Sequence, residues 1–250
     1  MGLKVCYDGQ TEMYYKRPDF PLDVIYYSPK TPMTYSIGDV GREHVLVLLA
    51  GELAVRGDIN INLKRGSVFT EGPAALYIGP KRKIVVHNRD QVEFVVIGCE
   101  ASGEGVVQSI VDVPPERRGK EGYFRTIYNI LPENFPAQRL VVGETINDSG
   151  NWSSFPPHKH DVDSPEEACM KETYFFKIRP ETGFGFQRIY DAEGELDETL
   201  SIQNNDFVWI PKGYHPVAVM PGHSIYYLWA LIGNNRLLLP NTHNDFKWLL

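Results

Sequence analysis

The sequence predicts an all-β protein built from one large unit or two similar halves. Stretches rich in Val, Ile, Phe and Tyr alternate with polar residues at every second position, which is the period of half-buried strands. Gly, Pro, Asn and Asp separate these stretches, and long helical periodicity is nearly absent. At 250 residues the chain exceeds the usual size of one domain, so a large β unit or two related barrels are both expected.

In the first half, the pattern predicts short strands with tight turns, which suit a sandwich or a barrel. These strands cover residues 44–50, 52–55, 74–78, 83–87 and 93–98. Residues 100–124 are rich in Gly, Pro and Arg and are typical of an interdomain connection. We therefore predict an N-terminal domain over 1–110, a linker over 111–124 and a C-terminal domain over 125–250.

The second half repeats this scheme more strongly. Strands are predicted over residues 173–178, 183–190, 207–210 and 224–231. The first two are expected to form a hairpin across Pro180-Glu181-Thr182-Gly183, with Gly183 at a position that needs a positive φ. The order of elements around Pro80 and around Pro211 is similar, which favours two related barrels.

Composition excludes several classes of partner. A formal net charge of −7 and a pI near 5.5 argue against nucleic acid and anionic lipid, because both require a basic face. The N-terminus lacks an apolar signal sequence, and no apolar run approaches the roughly 18 residues of a membrane helix, so a cytoplasmic location is expected. Cys6, Cys99 and Cys169 are far apart and are expected to be reduced thiols.

The strongest chemical signal is a set of metal-ligand residues in the second half. On a strand, His158 and His160 project to one side and Lys159 to the other. Glu172 begins the next apolar strand, and His215 follows Pro211-Lys212-Gly213-Tyr214 after a third. Three imidazoles and one carboxylate suit zinc, iron, manganese, nickel or cobalt and leave positions open for water or substrate.

The remaining histidines are isolated and are expected to be structural or solvated. The first half contains no His-x-His pair, so only the C-terminal domain is expected to hold metal. These isolated histidines are His44, His87, His223 and His243.

The metal-ligand pattern resembles the cupin superfamily, and the surrounding residues resemble one branch of it, the 5-deoxy-glucuronate isomerases of inositol catabolism. The resemblance rests on Asn-Asp-Ser-Gly-Asn-Trp-Ser-Ser-Phe-Pro-Pro-His-Lys-His-Asp at 147–161 and on Pro-Lys-Gly-Tyr-His-Pro-Val at 211–217. It extends to the stretches at 125–132, 183–190 and 196–199 and covers about residues 123–232.

This resemblance implies a bicupin, that is, two cupin-like β-barrels, with the metal in the C-terminal one. It also implies a metal-dependent aldose–ketose isomerase that converts 5-deoxy-D-glucuronate to 5-dehydro-2-deoxy-D-gluconate. Zinc is the first candidate for the cofactor, with manganese, iron and nickel as alternatives. A homo-oligomer is expected by analogy.

The implied reaction requires a group that moves a proton and a cation that binds the substrate carboxylate. Glu172, a metal-bound water, Tyr174 and Tyr227 are the candidates for the proton. Arg188 is the first candidate for the carboxylate and Arg125 the second, because arginine binds carboxylates bidentately. Gln187 is a candidate for orienting substrate hydroxyls, although alternation places Gln187 and Arg188 on opposite faces of their strand.

Three departures from the family pattern leave the substrate open. Tyr128 stands where the family has histidine, Trp229 where it has asparagine, and the C-terminal motif is shortened to Asp245-Phe246-Lys247-Trp248. The alternatives are an isomerase of the related 4-deoxy-5-keto-uronate, a cupin dioxygenase that uses ferrous iron, and a non-catalytic sugar-binding cupin.

Overall fold

A computed structural model describes residues 2–250 of the chain. It confirms the all-β prediction, since 22 strands account for the regular structure together with a 3₁₀ helix over Asn244–Leu249. Within residues 2–250, no helix has the length and apolar character required to cross a membrane.

The chain divides into two compact units, and each unit includes a short segment that is separated in sequence from the rest of that unit. The N-terminal unit comprises Asp8–Pro114 and Asn134–Leu140. The C-terminal unit comprises the residues up to Tyr7, then Pro115–Glu133 and Val141–Leu250. The sequence-based division at 110 and 125 did not include these two exchanged segments.

The strands of the N-terminal unit form a nine-stranded antiparallel sheet around an apolar core. Residues 44–50 and 52–55, predicted as two strands, belong to one strand of 16 residues, with an irregularity between Leu48 and Ala50. The strands are β2 Glu12–Lys16, β3 Asp23–Tyr27, β4 Met33–Ile37, β5 Arg42–Gly57, β6 Ile61–Arg65, β7 Ala74–Ile78, β8 Ile84–Asn88, β9 Glu93–Glu100 and β10 Val107–Ile110.

The interior of the N-terminal unit is filled by hydrocarbon and aromatic side chains. Leu46, Leu48 and Phe94 are fully buried there, together with Leu53 and Val55. Side chains of this kind stabilise a barrel by removing apolar surface from water, but they offer no ligand atoms to a cation.

Within the described residues, the C-terminal unit contains thirteen strands in three sheets. The strands are β1 Lys4–Val5, β11 Glu116–Arg118, β12 Arg125–Leu131, β13 Leu140–Asn147, β14 Trp152–Ser153, β15 His158–Lys159, β16 Met170–Arg179, β17 Gly185–Tyr190, β18 Asp197–Ile202, β19 Phe207–Ile210, β20 Val217–Val219, β21 Ser224–Gly233 and β22 Asn241–Thr242. The first sheet has seven strands in the order β1-β19-β16-β21-β13-β12-β11, and the second has four in the order β14-β20-β17-β18. The third is the two-stranded sheet of β15 and β22.

The predicted hairpin between residues 173–178 and 183–190 is wrong. The first stretch lies in β16, which pairs with β19 and β21, whereas the second lies in β17, which pairs with β18 and β20. Gly183 does not have a positive φ. A Cβ there would instead lie 2.1 Å from Cδ2 of His223, so close packing is what requires glycine at this position.

Part of the predicted linker is regular structure. Residues Glu116–Arg118 form β11, which pairs with β12 at the edge of the seven-stranded sheet. This pairing brings Arg118 opposite Arg125, and both arginines line the cavity described below.

Candidate metal centre and its cavity

Glu172 is positioned by the alternation of strand β16. The side chains of Met170, Tyr174 and Phe176 belong to the core cluster of the C-terminal unit, so Glu172, at the same parity, faces the barrel interior. It lies between Ile210 of β19 and Leu231 of β21 and is only 5% exposed. A carboxylate in such a place requires polar partners, because burying an unpaired charge is costly.

Two histidines provide these partners. Nε2 of His160 lies 3.0 Å from Oε2 of Glu172, and Nε2 of His215 lies 3.1 Å from the same oxygen. One ligand atom from each of the three residues lies within 4.8 Å of the others. His158 stands next to this cluster, with its ring centroid 5.0 Å from that of His215 and 6.5 Å from that of His160.

The ring orientation of each histidine is fixed by the main chain. Nδ1 of His158 lies 3.3 Å from the carbonyl of Pro156, Nδ1 of His160 lies 2.9 Å from that of Met170, and Nδ1 of His215 lies 2.9 Å from that of Gly213. A carbonyl can only accept, so each Nδ1 carries a proton that it donates. In the neutral ring this leaves Nε2 with a free lone pair, which is the usual arrangement of a metal-binding histidine.

The charges at the cluster are strongly coupled. Burial acts to raise the pKa of Glu172, but the neighbouring imidazoles of His160 and His215 outweigh it and lower that pKa to about 2. Burial acts against a charge on His160, yet Glu172 raises its pKa. Burial and the neighbouring imidazoles of His215 and His160 lower the pKa of His158 to about 3. The carboxylate is therefore ionised at neutral pH and has positive charge or a cation as its natural partner.

The donor set fits a divalent cation. Nε2 of His215 is buried and has no hydrogen-bond partner of acceptable geometry, although Oε2 of Glu172 is close. When two residues are ligands of the same ion, a ring nitrogen and a carboxylate oxygen lie close together without a hydrogen bond between them, as here. His160, Glu172 and His215 are thus placed to hold an ion, and nitrogen and oxygen donors of this kind suit zinc and other transition metals.

A cavity opens beside the cluster and carries hydroxyl groups on one side. Tyr174 and Tyr227 both line the core of the barrel, and Oη of Tyr174 lies 2.8 Å from Oγ of Ser154. Oη of Tyr227 donates to Oγ of Ser153 at 3.0 Å. Burial is the largest cause that raises the pKa of each tyrosine, so both phenols keep their protons at neutral pH.

Ser154 is a site residue that the sequence did not single out. Its φ of +46° is unusual for a residue with a side chain, and it directs Oγ to the tyrosine hydroxyls. The sequence signal was present, because Ser154 belongs to the Asn-Trp-Ser-Ser-Phe stretch of the family motif, but no pattern distinguishes it from Ser153.

A guanidinium also lines this cavity. Arg125 lies on β12, and its Nη1 donates to the carbonyl of Tyr123 at 3.3 Å. Within residues 2–250 it forms no ion pair, and burial lowers its pKa. Arg118, on the neighbouring strand, is held by Glu116 through two hydrogen bonds. A half-buried arginine without a carboxylate partner is available to bind an anion.

The structure does not bring Arg188 to the cluster. Its side chain is 49% exposed on the outer face of β17, pairs with Asp197 at 2.7 Å and lies over the ring of Tyr190. The reason is alternation along β17, which borders the His215 segment through β20 but presents Gln187, not Arg188, to the interior. Gln187, on the opposite face, is fully buried, and its Nε2 lies 3.5 Å from the carbonyl of His215.

The two substituted family positions have different surroundings. Trp229 lines the cavity, stands opposite Tyr174 across the β16–β21 pair, and donates from Nε1 to Oγ1 of Thr145 at 3.1 Å. Tyr128 lies between two cavity-lining residues of β12, Ile127 and Asn129, and so faces away from the cavity. Of the two departures, only that at Trp229 shapes the cavity.

Two barrel-like β units, one of which holds converging His and Glu side chains, define this protein as a member of the cupin class. The chain belongs to the KduI/IolB family, whose model matches residues 28–249. This membership confirms the resemblance inferred from residues 123–232, and with it the prediction of an isomerase-type enzyme.

Individual relatives agree with this membership. The chain is 37% identical over 219 residues to the 5-deoxy-glucuronate isomerase of Geobacillus kaustophilus, covering 84% of this chain and 78% of that protein. It is 48% identical over 137 residues to the protein of the same name from Halalkalibacterium halodurans, covering 54% of this chain and 51% of that protein.

Solved structures have the same fold. An IolB-like protein from Salmonella typhimurium LT2 aligns with a TM-score of 0.94 and 29% identity, covering 100% of this chain and 99% of that one. An oxalate decarboxylase from Lactobacillus farciminis aligns with a TM-score of 0.71 and 12% identity, covering 98% and 89%. At 12% identity the second likeness concerns the fold alone.

Proposed function

We propose that this chain is a metal-dependent aldose–ketose isomerase that converts 5-deoxy-D-glucuronate to 5-dehydro-2-deoxy-D-gluconate in inositol catabolism. The observation that carries the proposal is the convergence of His160, Glu172 and His215 at the edge of a cavity that is also lined by Arg125, which has no ion-pair partner among residues 2–250. A sugar acid with a reactive carbonyl requires two features of its site. One is a set of ligands for a metal ion that activates the carbonyl, and the other is a positively charged side chain that binds the carboxylate. The names of the relatives support the choice of substrate.

The ion would be held by His160, Glu172 and His215, with His158 as the fourth ligand and zinc as the first candidate. A bound divalent cation would polarise the aldehyde oxygen and the adjacent hydroxyl of the substrate. The carbonyl contacts at Nδ1 of the three histidines would leave their Nε2 atoms available as ligands without a change of tautomer.

The reaction moves two hydrogens. One proton leaves the hydroxyl-bearing carbon and is delivered to the neighbouring aldehyde carbon, and the hydroxyl proton passes to the former aldehyde oxygen. Glu172 is the only carboxylate among the described residues that line the cavity, and it is ionised, so it is the group proposed to accept and return the carbon-bound proton.

The hydroxyl groups of the tyrosines and of Ser154 are proposed to transfer protons to and from the substrate oxygens. Tyr174 and Tyr227 have raised pKa values and therefore act as donors of hydrogen bonds and protons, not as bases. Ser154 lies 2.8 Å from Oη of Tyr174 and 3.5 Å from Oη of Tyr227, so one serine contacts both phenols. This arrangement can pass a proton from one substrate oxygen to the other.

The carboxylate end of the substrate is assigned to Arg125. Its guanidinium is partly removed from solvent and has no acidic partner among the described residues. The carboxylate of the substrate would supply the negative charge that pairs with it. Arg188, which already pairs with Asp197, is not part of this proposal.

The test is to remove metal from the purified protein by chelation, reload it with zinc, manganese, ferrous iron or nickel, and add 5-deoxy-glucuronate without oxygen. Proton NMR in D2O should show ketose with deuterium in its hydroxymethyl group, only in the reloaded protein. A parallel reaction with 4-deoxy-5-keto-uronate distinguishes the two isomerases. Absence of conversion of either uronate with bound metal, or conversion by the chelated protein, would refute the proposal.

A further inference from the structure

A group of three charged residues, of which one is fully buried and two are partly buried, accompanies the candidate ligands. Nζ of Lys159, between the two histidines of the His-x-His pair, lies 2.5 Å from Oδ1 of Asp161 and 2.9 Å from both carboxylate oxygens of Glu167. The side chain of Glu167 is 1% exposed. We call Lys159, Asp161 and Glu167 the anchor cluster.

Glu167 closes the loop that separates His160 from Glu172. Its Oε1 accepts the backbone N–H groups of Asp161 at 2.6 Å and of Val162 at 3.1 Å. At the far end of the loop, the N–H of Met170 donates to the carbonyl of His160 at 2.8 Å, and the Met170 carbonyl accepts from Nδ1 of the same histidine. The loop is therefore held at its far end by His160 itself and at its near end by Asp161, the residue that follows His160.

Asp161 connects this loop to the third ligand. Its Oδ2 accepts the backbone N–H of Gly213 at 2.8 Å, and the carbonyl of Gly213 accepts from Nδ1 of His215 at 2.9 Å. Gly213 has a φ of +87°, and a Cβ there would lie 2.5 Å from the carbonyl of Tyr190. One residue thus links the Asp161 carboxylate to the His215 ring, in a conformation that other residues rarely adopt.

We propose that Asp161 and Glu167 are positioning residues that set the orientation of His160 and His215 and thereby the affinity of the centre for its cation. Neither has a role in the function proposed above, and the inference rests on that proposed metal site. Residues that orient metal ligands typically change metal affinity by about 10- to 100-fold when they are replaced.

The experiment compares zinc affinity in four proteins by competition with a chromophoric chelator. Asp161→Ala should bind zinc about 10- to 100-fold more weakly than wild type. Asp161→Asn keeps an oxygen that can accept from Gly213 and should recover much of the loss. Glu43→Gln is the control, because Glu43 is a buried carboxylate, as Glu167 is, and accepts three backbone N–H groups, those of Gln138, Arg139 and Leu140, within the N-terminal unit.

Two further measurements separate positioning from general stability. Thermal melting of the metal-free proteins reports folding, and the visible spectrum of the Co²⁺-loaded proteins reports ligand geometry. Asp161→Ala should change the Co²⁺ spectrum, whereas Glu43→Gln should lower the melting temperature and leave the zinc affinity and the spectrum unchanged.

The inference is wrong if folded Asp161→Ala binds zinc as wild type does, or if Glu43→Gln loses as much affinity. If Asp161→Ala does not fold, the test uses Glu167→Gln instead. This substitution keeps the volume of the side chain but removes its ion pair with Lys159. It should bind zinc several-fold more weakly, and an unchanged affinity would refute the inference. If wild type binds none of zinc, manganese, ferrous iron and nickel, the proposed function fails and this inference with it; if only the comparison between variants fails, the proposed function stands.

Discussion

The hydroxyl of Tyr174 lies 2.8 Å from Oγ of Ser154, and this contact joins a strand of the seven-stranded sheet to the segment that leads to His158. The backbone of Ser154 has a φ of +46° where it makes this contact. Tyr174 is also close enough to Glu172 for the carboxylate to contribute to its raised pKa. The phenol is thus a proton donor held between the candidate ligand set and a serine.

Tyr174→Phe should lower kcat by about 10²- to 10⁴-fold, the range for loss of a group that transfers protons in the transition state. Zinc affinity should not change, because the phenol is not a ligand. Steady-state kinetics and chelator competition on the same preparation test both statements. Tyr14→Phe, at a tyrosine that is 66% exposed in the N-terminal unit, should behave as wild type. Equal kcat values for the two variants would exclude Tyr174 from the reaction.

Gly143 and Trp229 should be energetically coupled. A Cβ at Gly143 would lie 2.2 Å from Cζ2 of the Trp229 indole and 2.5 Å from the carbonyl of Tyr128. Gly143→Ala should therefore destabilise the protein by about 1 to 3 kcal/mol, the cost of overpacking a core. Trp229→Phe removes the clashing indole atoms, so the same change should cost less in that background.

Urea denaturation of the wild type, the two single variants and the double variant measures this coupling. Part of the cost should persist in the double variant, because the carbonyl of Tyr128 remains. Additive losses of stability would mean that the indole of Trp229 does not contact Gly143 in solution.

The candidate ligand residues could be predicted because local sequence patterns mark them. His160 and Glu172 lie on or beside predicted strands at positions whose parity is legible in the sequence, and a Pro-x-Gly-x-His stretch marks His215. The structure brings Glu172 close to the segment of His215 because β16 pairs with β19, and both strands were predicted. His160 joins them through its contact with the carbonyl of Met170. That these residues bind a metal stays a prediction.

The errors came from pairing, which local patterns do not encode. The turn at residues 180–183 is consistent both with a hairpin and with a crossing from one sheet to another, and the hairpin was the wrong choice. Arg188 was favoured because the sequence does not specify which face of its strand points inward, and Gln187 occupies that face. Arg125 reaches the cavity through the β12–β13 pair, and the segments before Asp8 and at 134–140 belong to units that are distant in sequence. Such contacts depend on long-range burial, which periodicity alone does not specify.

His44 should make stability depend on pH. Burial, followed by the charge of Arg42, lowers its pKa to about 4. In the unfolded chain the pKa is about 6.5, so the unfolded state binds the extra proton as the pH falls. The stabilisation is complete above pH 6.5 and is lost progressively towards pH 4.

The comparison with His44→Gln isolates this contribution. Between pH 7 and pH 5, the free energy of unfolding of wild type should fall by roughly 1 to 2 kcal/mol more than that of the variant. Urea denaturation at several pH values measures the difference. Parallel curves for the two proteins would show that His44 titrates normally in the folded state.

Arg125 and Arg188 form a matched pair for testing how the substrate carboxylate is bound. Arg125 lines the cavity without an ion pair, whereas Arg188 is on the outer face of β17 with Asp197. A hydrogen bond to a charged group contributes about 1.5 to 3 kcal/mol, so Arg125→Gln should raise KM about 10- to 150-fold. Arg188→Gln should change KM less than about twofold, and Arg125→Lys should recover part of the loss, since lysine keeps the charge but not the planar fork. Steady-state kinetics with zinc saturating checks all three variants. A large rise in KM for Arg188→Gln with none for Arg125→Gln would show that Arg188, the first candidate from the sequence, binds the substrate carboxylate.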